Sequence, residues 1–282
     1  MAGTIYLVAT PIGNLEDITL RALRVLREAD LIACEDTRHT RKLLEHYQIR
    51  RPVVSFHEHN EASRAKDLVE RAAAGAAIAV VSDAGMPVVA DPGFRIVRRA
   101  IERGVPVVPV PGPVAAVAAF AAAGLPAEAF RFAGFLPPKR NRRRQALESL
   151  AAESATLIFY EAPHRIVDTL VDIAEVLGPR PVVVARELTK IHEEFLRGPA
   201  DEVLAALRQR ETIKGEITLL VGAGPAPAPA AGSLADRVRQ LMSEQNLDRM
   251  TALKLAARER GISKPEAYRL FTAAADRSPP DV

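Results

Sequence analysis

Through residues 4–221, short apolar runs rich in Val, Ile and Leu alternate with amphipathic stretches of helical period. A chain built this way buries both kinds of element by laying helices over the faces of a largely parallel sheet. Strands are expected at about 4–8, 30–34, 52–56, 77–81 and 105–110, with helices at about 18–28, 37–47, 61–74, 93–103 and 113–123. Phe130–Phe135 opens a second unit, with strands near 130–135, 155–160, 181–186, 191–197 and 213–221 and helices near 140–152, 164–177 and 199–210. Its last strands follow one another through short connections, which antiparallel neighbours permit, so this second sheet is expected to be mixed.

Composition narrows the setting. With 282 residues, 48% of them apolar, the chain can fill two or three cores. The single cysteine, Cys34, excludes an internal disulfide and reads as a buried spacer at the end of an apolar run. No apolar stretch approaches the ~20 residues of a membrane span, and Met1-Ala2-Gly3-Thr4 lacks a charged signal region, so a cytoplasmic protein is expected. Net charge is only +3, and any affinity for nucleic acid must come from local patches.

Three strand ends carry Gly/Pro loops. Ile78–Val81 runs directly into Ser82-Asp83-Ala84-Gly85-Met86-Pro87, with Asp91-Pro92-Gly93 close behind. Gly85 lets backbone approach a ligand, Pro87 and Pro92 stiffen the loop, and Asp83 offers an acceptor. Val105–Val110 leads to Pro111-Gly112-Pro113 and the small-residue helix Val114–Ala123, where Pro113 suits a first helical turn. Thr4–Val8 leads to Ala9-Thr10-Pro11-Ile12-Gly13-Asn14. Loops at the carboxyl ends of parallel strands form the ligand crevice of open α/β folds, so one shared cleft is expected.

A basic cluster stands apart from these loops. Lys139, Arg140, Arg142, Arg143 and Arg144 place five cations within six residues, at the start of a helix whose dipole opposes them. Phosphate is the anion that would relieve this repulsion.

The motifs Thr10-Pro11-Ile12-Gly13-Asn14, Cys34-Glu35-Asp36-Thr37-Arg38, Ser55-Phe56-His57-Glu58-His59-Asn60, Ser82–Pro87, Phe132–Pro137, Phe159–Arg165 and Arg186–Lys190 occur in order between about Gly3 and Val221. Together they resemble the small-subunit ribosomal RNA methyltransferase I family, a branch of the tetrapyrrole-methylase-like enzymes. The resemblance implies a two-domain α/β fold and S-adenosylmethionine as methyl donor. It further implies a 2′-O-methylated cytidine ribose in small-subunit ribosomal RNA as product, and a homodimer. By position it implies donor contacts at Pro11, Ala84, Gly85, Pro87, Ala115, Ala116, Tyr160, Leu188 and Gly215, and the basic cluster becomes the grip on RNA backbone. Tetrapyrrole methylases usually carry Gly-x-Gly-x-Gly-Asp after the first strand. Ala9–Asn14 has one glycine there, which disfavours a porphyrinoid substrate.

Transfer of a methyl group to a hydroxyl requires a positioned donor and a route for the proton. Loop candidates for the proton are Glu35, Asp36, His57, Glu58, Glu161, His164, Glu187 and Lys190. Glu161, His164 and Glu187 come first, at strand ends facing the cleft in which the resembling fold holds its donor. Sulfonium transfer needs no metal, and His57 with His59 lacks a third ligand.

The chain changes character at 223–232, an alternating Pro/Ala segment of extended habit. Domains are therefore expected at 1–123, 124–222 and 233–282, the last a three-helix module of helix-turn-helix type, with Ser233 capping its first helix, Gly261 ending its second and Ser263–Glu266 boxing its third. Two other functions fit parts of this layout: a small-molecule methylase of tetrapyrrole type, or a ligand-responsive DNA-binding regulator that reads with the C-terminal helices.

Overall fold

The computed structural model describes residues 3–224, 234–245, 247–259, 262 and 264–275. The chain divides into two compact units, Met1–Gly224 and Pro225–Val282.

The first unit opens with an all-parallel sheet of β1 (Thr4–Val8), β2 (Leu31–Cys34), β3 (Val53–Ser55), β4 (Ala77–Val81) and β5 (Val107–Val110), in the order β3-β2-β4-β1-β5. Every residue of β2 and β4 is buried, as expected of strands covered by helices on both faces. One face packs Ile5, Ile78, Leu68 and Ile96 and the other Val8, Ile32, Leu26 and Val81. The intervening helices are α1 (Leu20–Glu28), α2 (Thr37–His46), α3 (Glu61–Ala73), α4 (Phe94–Glu102) and α5 (Ala115–Ala123).

The strand order fixes where a ligand can enter. From β1 the chain crosses β4 to reach β2, and from β4 it crosses β1 to reach β5. Their outgoing loops thus diverge, and a crevice opens at the carboxyl ends of β1 and β4.

A second sheet holds β6 (Phe130–Phe135), β7 (Thr156–Glu161), β8 (Pro181–Arg186), β9 (Glu194–Pro199) and β10 (Ile217–Val221), in the order β6-β7-β10-β8-β9. Only β6 and β7 are parallel, so the sheet is mixed. On one face α6 (Arg140–Ser149), α7 (Ile166–Leu177) and α8 (Ala200–Arg208) bury a core around Leu147, Phe159, Leu170 and Leu219. The opposite face takes α5, whose Ala116, Ala119 and Ala123 lie on Ile158, Val183, Ala185 and Leu220. The alanines permit close approach of helix and sheet, and α5 thereby fastens the second sheet to the loop that follows β5.

Several boundaries differ from expectation. The helix expected from residue 18 begins as a 3₁₀ turn at Leu15–Asp17, then restarts where Thr19 Oγ1 accepts from the Ala22 amide at 3.0 Å. Pro113 lies outside α5, whose N-cap is Val114. Glu161 ends β7, and α7 starts only at Ile166.

In the second unit α9 (Leu234–Gln245), α10 (Arg249–Glu259) and α11 (Lys264–Ala275) share a core of Val238, Leu241, Leu253, Ala256 and Ala267. Residues 225–232 of the expected linker, the Ser233 cap, the Gly261 stop and the Ser263 capping residue lie outside the described residues.

Candidate active site

The loops after β1 and β4 are joined by an isolated antiparallel bridge: the Thr10 amide donates to the Gly85 carbonyl at 2.9 Å and Gly85 returns the bond at 3.0 Å. Thr10 Oγ1 also donates to the Ser82 carbonyl at 3.1 Å. Gly85 has φ +82°, a left-handed conformation that favours glycine. Val88 and Ala90 hold φ +74° and +65°, and positive φ at a β-branched residue is strained. At the loop's far end the Gly93 and Arg95 amides donate to Glu61 Oε1 at 3.0 and 3.1 Å, a carboxylate at the start of α4.

The second sheet contributes its own loops. Glu187 and Thr189 also have positive φ, +52° and +67°. Lys190 Nζ donates to Glu187 Oε1 at 2.8 Å and Glu216 Oε2 at 3.0 Å. Contact between the two sets of loops is tight: a Cβ on Gly13 would stand 2.5 Å from Lys190 Cγ and 3.0 Å from the Leu188 carbonyl oxygen.

These loops enclose a cavity of about 400 Å³. Its walls are Ile12, Asp83–Met86, Val89–Asp91 and Val114–Ala115 on one side, and Phe135, Tyr160–Pro163, Leu188 and Gly215–Thr218 on the other. The charged side chains among the described lining residues are all acids: Asp83, Asp91, Glu161 and Glu216. Two of the four are committed elsewhere. Glu161, whose side chain has no solvent exposure, accepts from the Ala162 amide at 2.8 Å and Thr169 Oγ1 at 2.7 Å, with Arg165 Nε at 3.2 Å. Glu216 is held by Lys190.

Asp83 accepts from the Asp36 amide at 3.0 Å. Among the described residues Asp91 has no cationic partner; loss of hydration, with Glu35 and Asp83 nearby, pushes its carboxyl up to about 6 against the pull of the Ser82 hydroxyl. Glu35 is raised too, by burial first and Asp83 second, with His57 opposing. The Tyr160 phenol is raised by burial first, its oxygen accepts from the Ala116 amide at 3.3 Å, and Asp91 adds to the rise.

Of the expected donor contacts, Ala84, Gly85, Ala115, Tyr160, Leu188 and Gly215 line this cavity. Pro11, Pro87 and Ala116 stand outside its lining, Ala116 reaching it only through Tyr160.

The expected proton acceptors fare differently. Glu161 reaches the wall with a carboxylate already engaged. His164 is exposed and outside the lining. Glu187 is paired with Lys190, which holds its carboxyl below the usual range. A free base among these three is therefore not what the geometry provides.

The basic cluster is also divided. Arg143 is buried, 4% exposed, with Nη2 2.7 Å from the fully buried Asp172. Expecting it to grip RNA is corrected by this ion pair, which α6 and α7 bury between them. Arg140 is 3.1 Å from Asp172, and Arg144 pairs with Glu175. Lys139 and Arg142 remain exposed. What sequence reasoning took for repulsion among like charges is relieved from α7, about 30 positions along the chain.

Residues 4–204 match the family model for tetrapyrrole (corrin/porphyrin) methylases. The ribosomal RNA small subunit methyltransferase I of Halalkalibacterium halodurans is 49% identical over 275 residues, covering 95% of this chain and 94% of its own. That of Escherichia coli O157:H7 is 47% identical over 274 residues, with 95% and 94% covered. The chain belongs to the ribosomal RNA small subunit methyltransferase I family.

Family members differ in length. The one from Thermotoga maritima is 47% identical over 219 residues, which is 98% of it but 78% of this chain. Among solved structures, uroporphyrin-III-C-methyltransferase from Thermus thermophilus aligns with TM-score 0.57 and 25% identity over 78% of this chain and 94% of that one. Diphthine synthase shares the fold at TM-score 0.61 and 16% identity, over 78% and 90%.

Sequence reasoning missed Asp91, Phe135 and Thr218 as cavity residues. Asp91 was visible only as one residue of an Asp-Pro-Gly turn, and no local pattern shows that β2 and β4 bring Glu35 and Asp83 close to it.

Proposed function

We propose that this methyltransferase I family member transfers a methyl group from S-adenosylmethionine to the 2′-oxygen of a cytidine ribose in 16S ribosomal RNA. The observation that carries this is near-full-length identity of 47–49% to ribosomal RNA small subunit methyltransferases I. The cavity suits the donor, since about 400 Å³ lies within the ~300–1,000 Å³ of small-molecule sites. An all-acidic set of charged linings favours a ligand bearing a sulfonium and an ammonium group. Gly85 and Ala115 are small residues of the wall, which leaves room for a flat ring.

When bound, the donor supplies an electrophilic methyl group; the chain's residues orient it and exclude water. Phe135, 58% exposed at the cavity wall with its ring 5.6 Å from Tyr160, offers a stacking face for an unpaired base. Exposed Lys139 and Arg142, with Arg140 in part, meet phosphate.

The enzyme works as a homodimer in the cytoplasm. Phe94 and Ile101, 66% and 68% exposed two helical turns apart on α4, give a second copy an apolar stripe to cover. Among the described residues no helix is long and apolar enough to cross a membrane.

Incubation with radiolabelled donor and small ribosomal subunits lacking the modification tests the reaction. Label in an alkali-resistant dinucleotide containing 2′-O-methylcytidine is the expected product. Label on a base, or none in RNA while a tetrapyrrole accepts it, contradicts it.

A further inference from the structure

The proposed methyl transfer needs a group that can hold the ribose proton, and the three carboxylates or imidazoles at the strand ends of the second sheet do not supply it. Glu161 is saturated by Ala162, Thr169 and Arg165, Glu187 is neutralised by Lys190, and His164 lies outside the cavity. On the first-sheet side one carboxylate lines the cavity with no cationic partner and no backbone-amide hydrogen bond among the described residues: Asp91.

Its placement is enforced rather than incidental. Asp91 follows Ala90 at φ +65° and Val88 at φ +74°, two strained residues in the loop that carries Val89, Ala90 and Asp91 to the cavity wall. The bridge between Thr10 and Gly85 fixes the loop at one end, and Glu61 fixes it at the other through Gly93 and Arg95. Ser82 stands beside the carboxyl, and Tyr160 of β7 is close enough for Asp91 to raise its phenol. Asp91 and Tyr160 thus line the same cavity from its two walls.

Resting on that reading of the reaction, we infer that Asp91 is the catalytic residue that accepts the proton of the acceptor ribose hydroxyl. In the step, the ribose oxygen forms a bond to the methyl carbon while the carbon–sulfur bond breaks and its electron pair stays on sulfur, which becomes a neutral thioether. The hydroxyl proton passes to an Asp91 oxygen, so one cationic sulfonium and one carboxylate become two neutral groups. Charge annihilation of this kind is favoured in a site poor in water.

The titratable groups that face Asp91 are Glu35 from the loop after β2, Asp83 from its own loop and Tyr160 from β7. Glu35 and Asp83 disfavour its charged form, and Asp91 in turn raises the Tyr160 phenol. A carboxyl near 6 is ionised at neutral pH yet basic enough to take a proton late in the transfer, an arrangement worth roughly 10²–10⁴ in rate.

The test is Asp91→Asn, which keeps size and removes charge, with Asp91→Ser as a second variant should the amide disturb the loop. Donor affinity is read by calorimetry with S-adenosylmethionine, and the chemical step by single-turnover methylation of small subunits at saturating donor. The expected result is donor affinity within about threefold of wild type, with single-turnover rate lower by ~10²–10⁴ and the wild-type rise in rate through pH 6 absent. Two results overturn the assignment: an unchanged single-turnover rate, or a large loss of donor affinity with a normal rate at saturation, which makes Asp91 a donor ligand. Wild-type methylation in the same assay is the control that separates failure of this assignment from failure of the reaction itself.

Discussion

Thr10 and Gly85 exchange two backbone hydrogen bonds, 2.9 and 3.0 Å long, across loops that leave neighbouring strands in opposite directions. The bridge turns a gap between diverging loops into a cavity wall.

Gly85→Val tests the wall. An added Cβ would meet Ile12 Cγ2 at 3.5 Å and the Pro113 carbonyl at 3.6 Å, which is ordinary contact, so the penalty lies in the φ of +82°. A left-handed β-branched residue costs roughly 1–2 kcal/mol, and relaxing it pulls the loop off the bridge. Donor affinity should fall about tenfold by calorimetry, for ~1.4 kcal/mol. The melting temperature should drop only a few degrees.

The basic cluster divides into two kinds of residue, and each should respond differently. Replacing Lys139 and Arg142 together by Gln should raise the apparent KM for the ribosomal substrate and flatten its dependence on salt, by about one unit of log–log slope per lost phosphate contact. Arg143→Gln should instead unfold the protein more easily, because the fully buried Asp172 loses its buried partner and keeps only the more exposed Arg140 and Arg144, a cost below the ~3–5 kcal/mol of a buried charge left wholly unpaired. Chemical denaturation separates the two outcomes. A flattened salt slope in the stable Arg143→Gln fraction would return Arg143 to the RNA surface.

Two carboxyls, Asp172 buried and Asp91 half-buried, give opposite pH signatures. Burial pushes Asp172 up, but the hydrogen bonds of Arg143 and Arg140 outweigh it and hold the group below its ordinary 3.8. Its contribution to stability is present above that value and is lost as pH falls through the lower folded value. Asp91 is raised from 3.8 to about 6, so the folded state binds more protons than the unfolded between those values. Stability therefore declines as pH rises through that window. Asp91→Asn should melt higher than wild type at pH 7–8 and match it near pH 4, by differential scanning calorimetry; equal melting at both would show that the carboxyl is hydrated.

The alternation of strands and helices was legible because both periods are local, and the β2 and β4 runs are apolar throughout. Helix starts were less so: Asn14 and Thr19 both cap, one a 3₁₀ turn and one α1, and a hydrophobic pattern does not distinguish them. Gly85 could be read as part of the cavity wall since its loop follows a strand directly. Asp91 and the Arg143–Asp172 pair could not, because burial and partner come from elements distant in sequence. Glu161 misled for the same reason, its engagement with Thr169 lying within the fold of α7 against β7.

The most direct measurement is a crystal structure with S-adenosylmethionine bound. The account requires the donor in the cavity between the bridge at Gly85 and the 186–190 loop at Leu188, touching both sheets' loops, with its methyl carbon open toward Asp91 and Phe135. A donor seated elsewhere, or seated here with its methyl carbon turned away from Asp91, would contradict it.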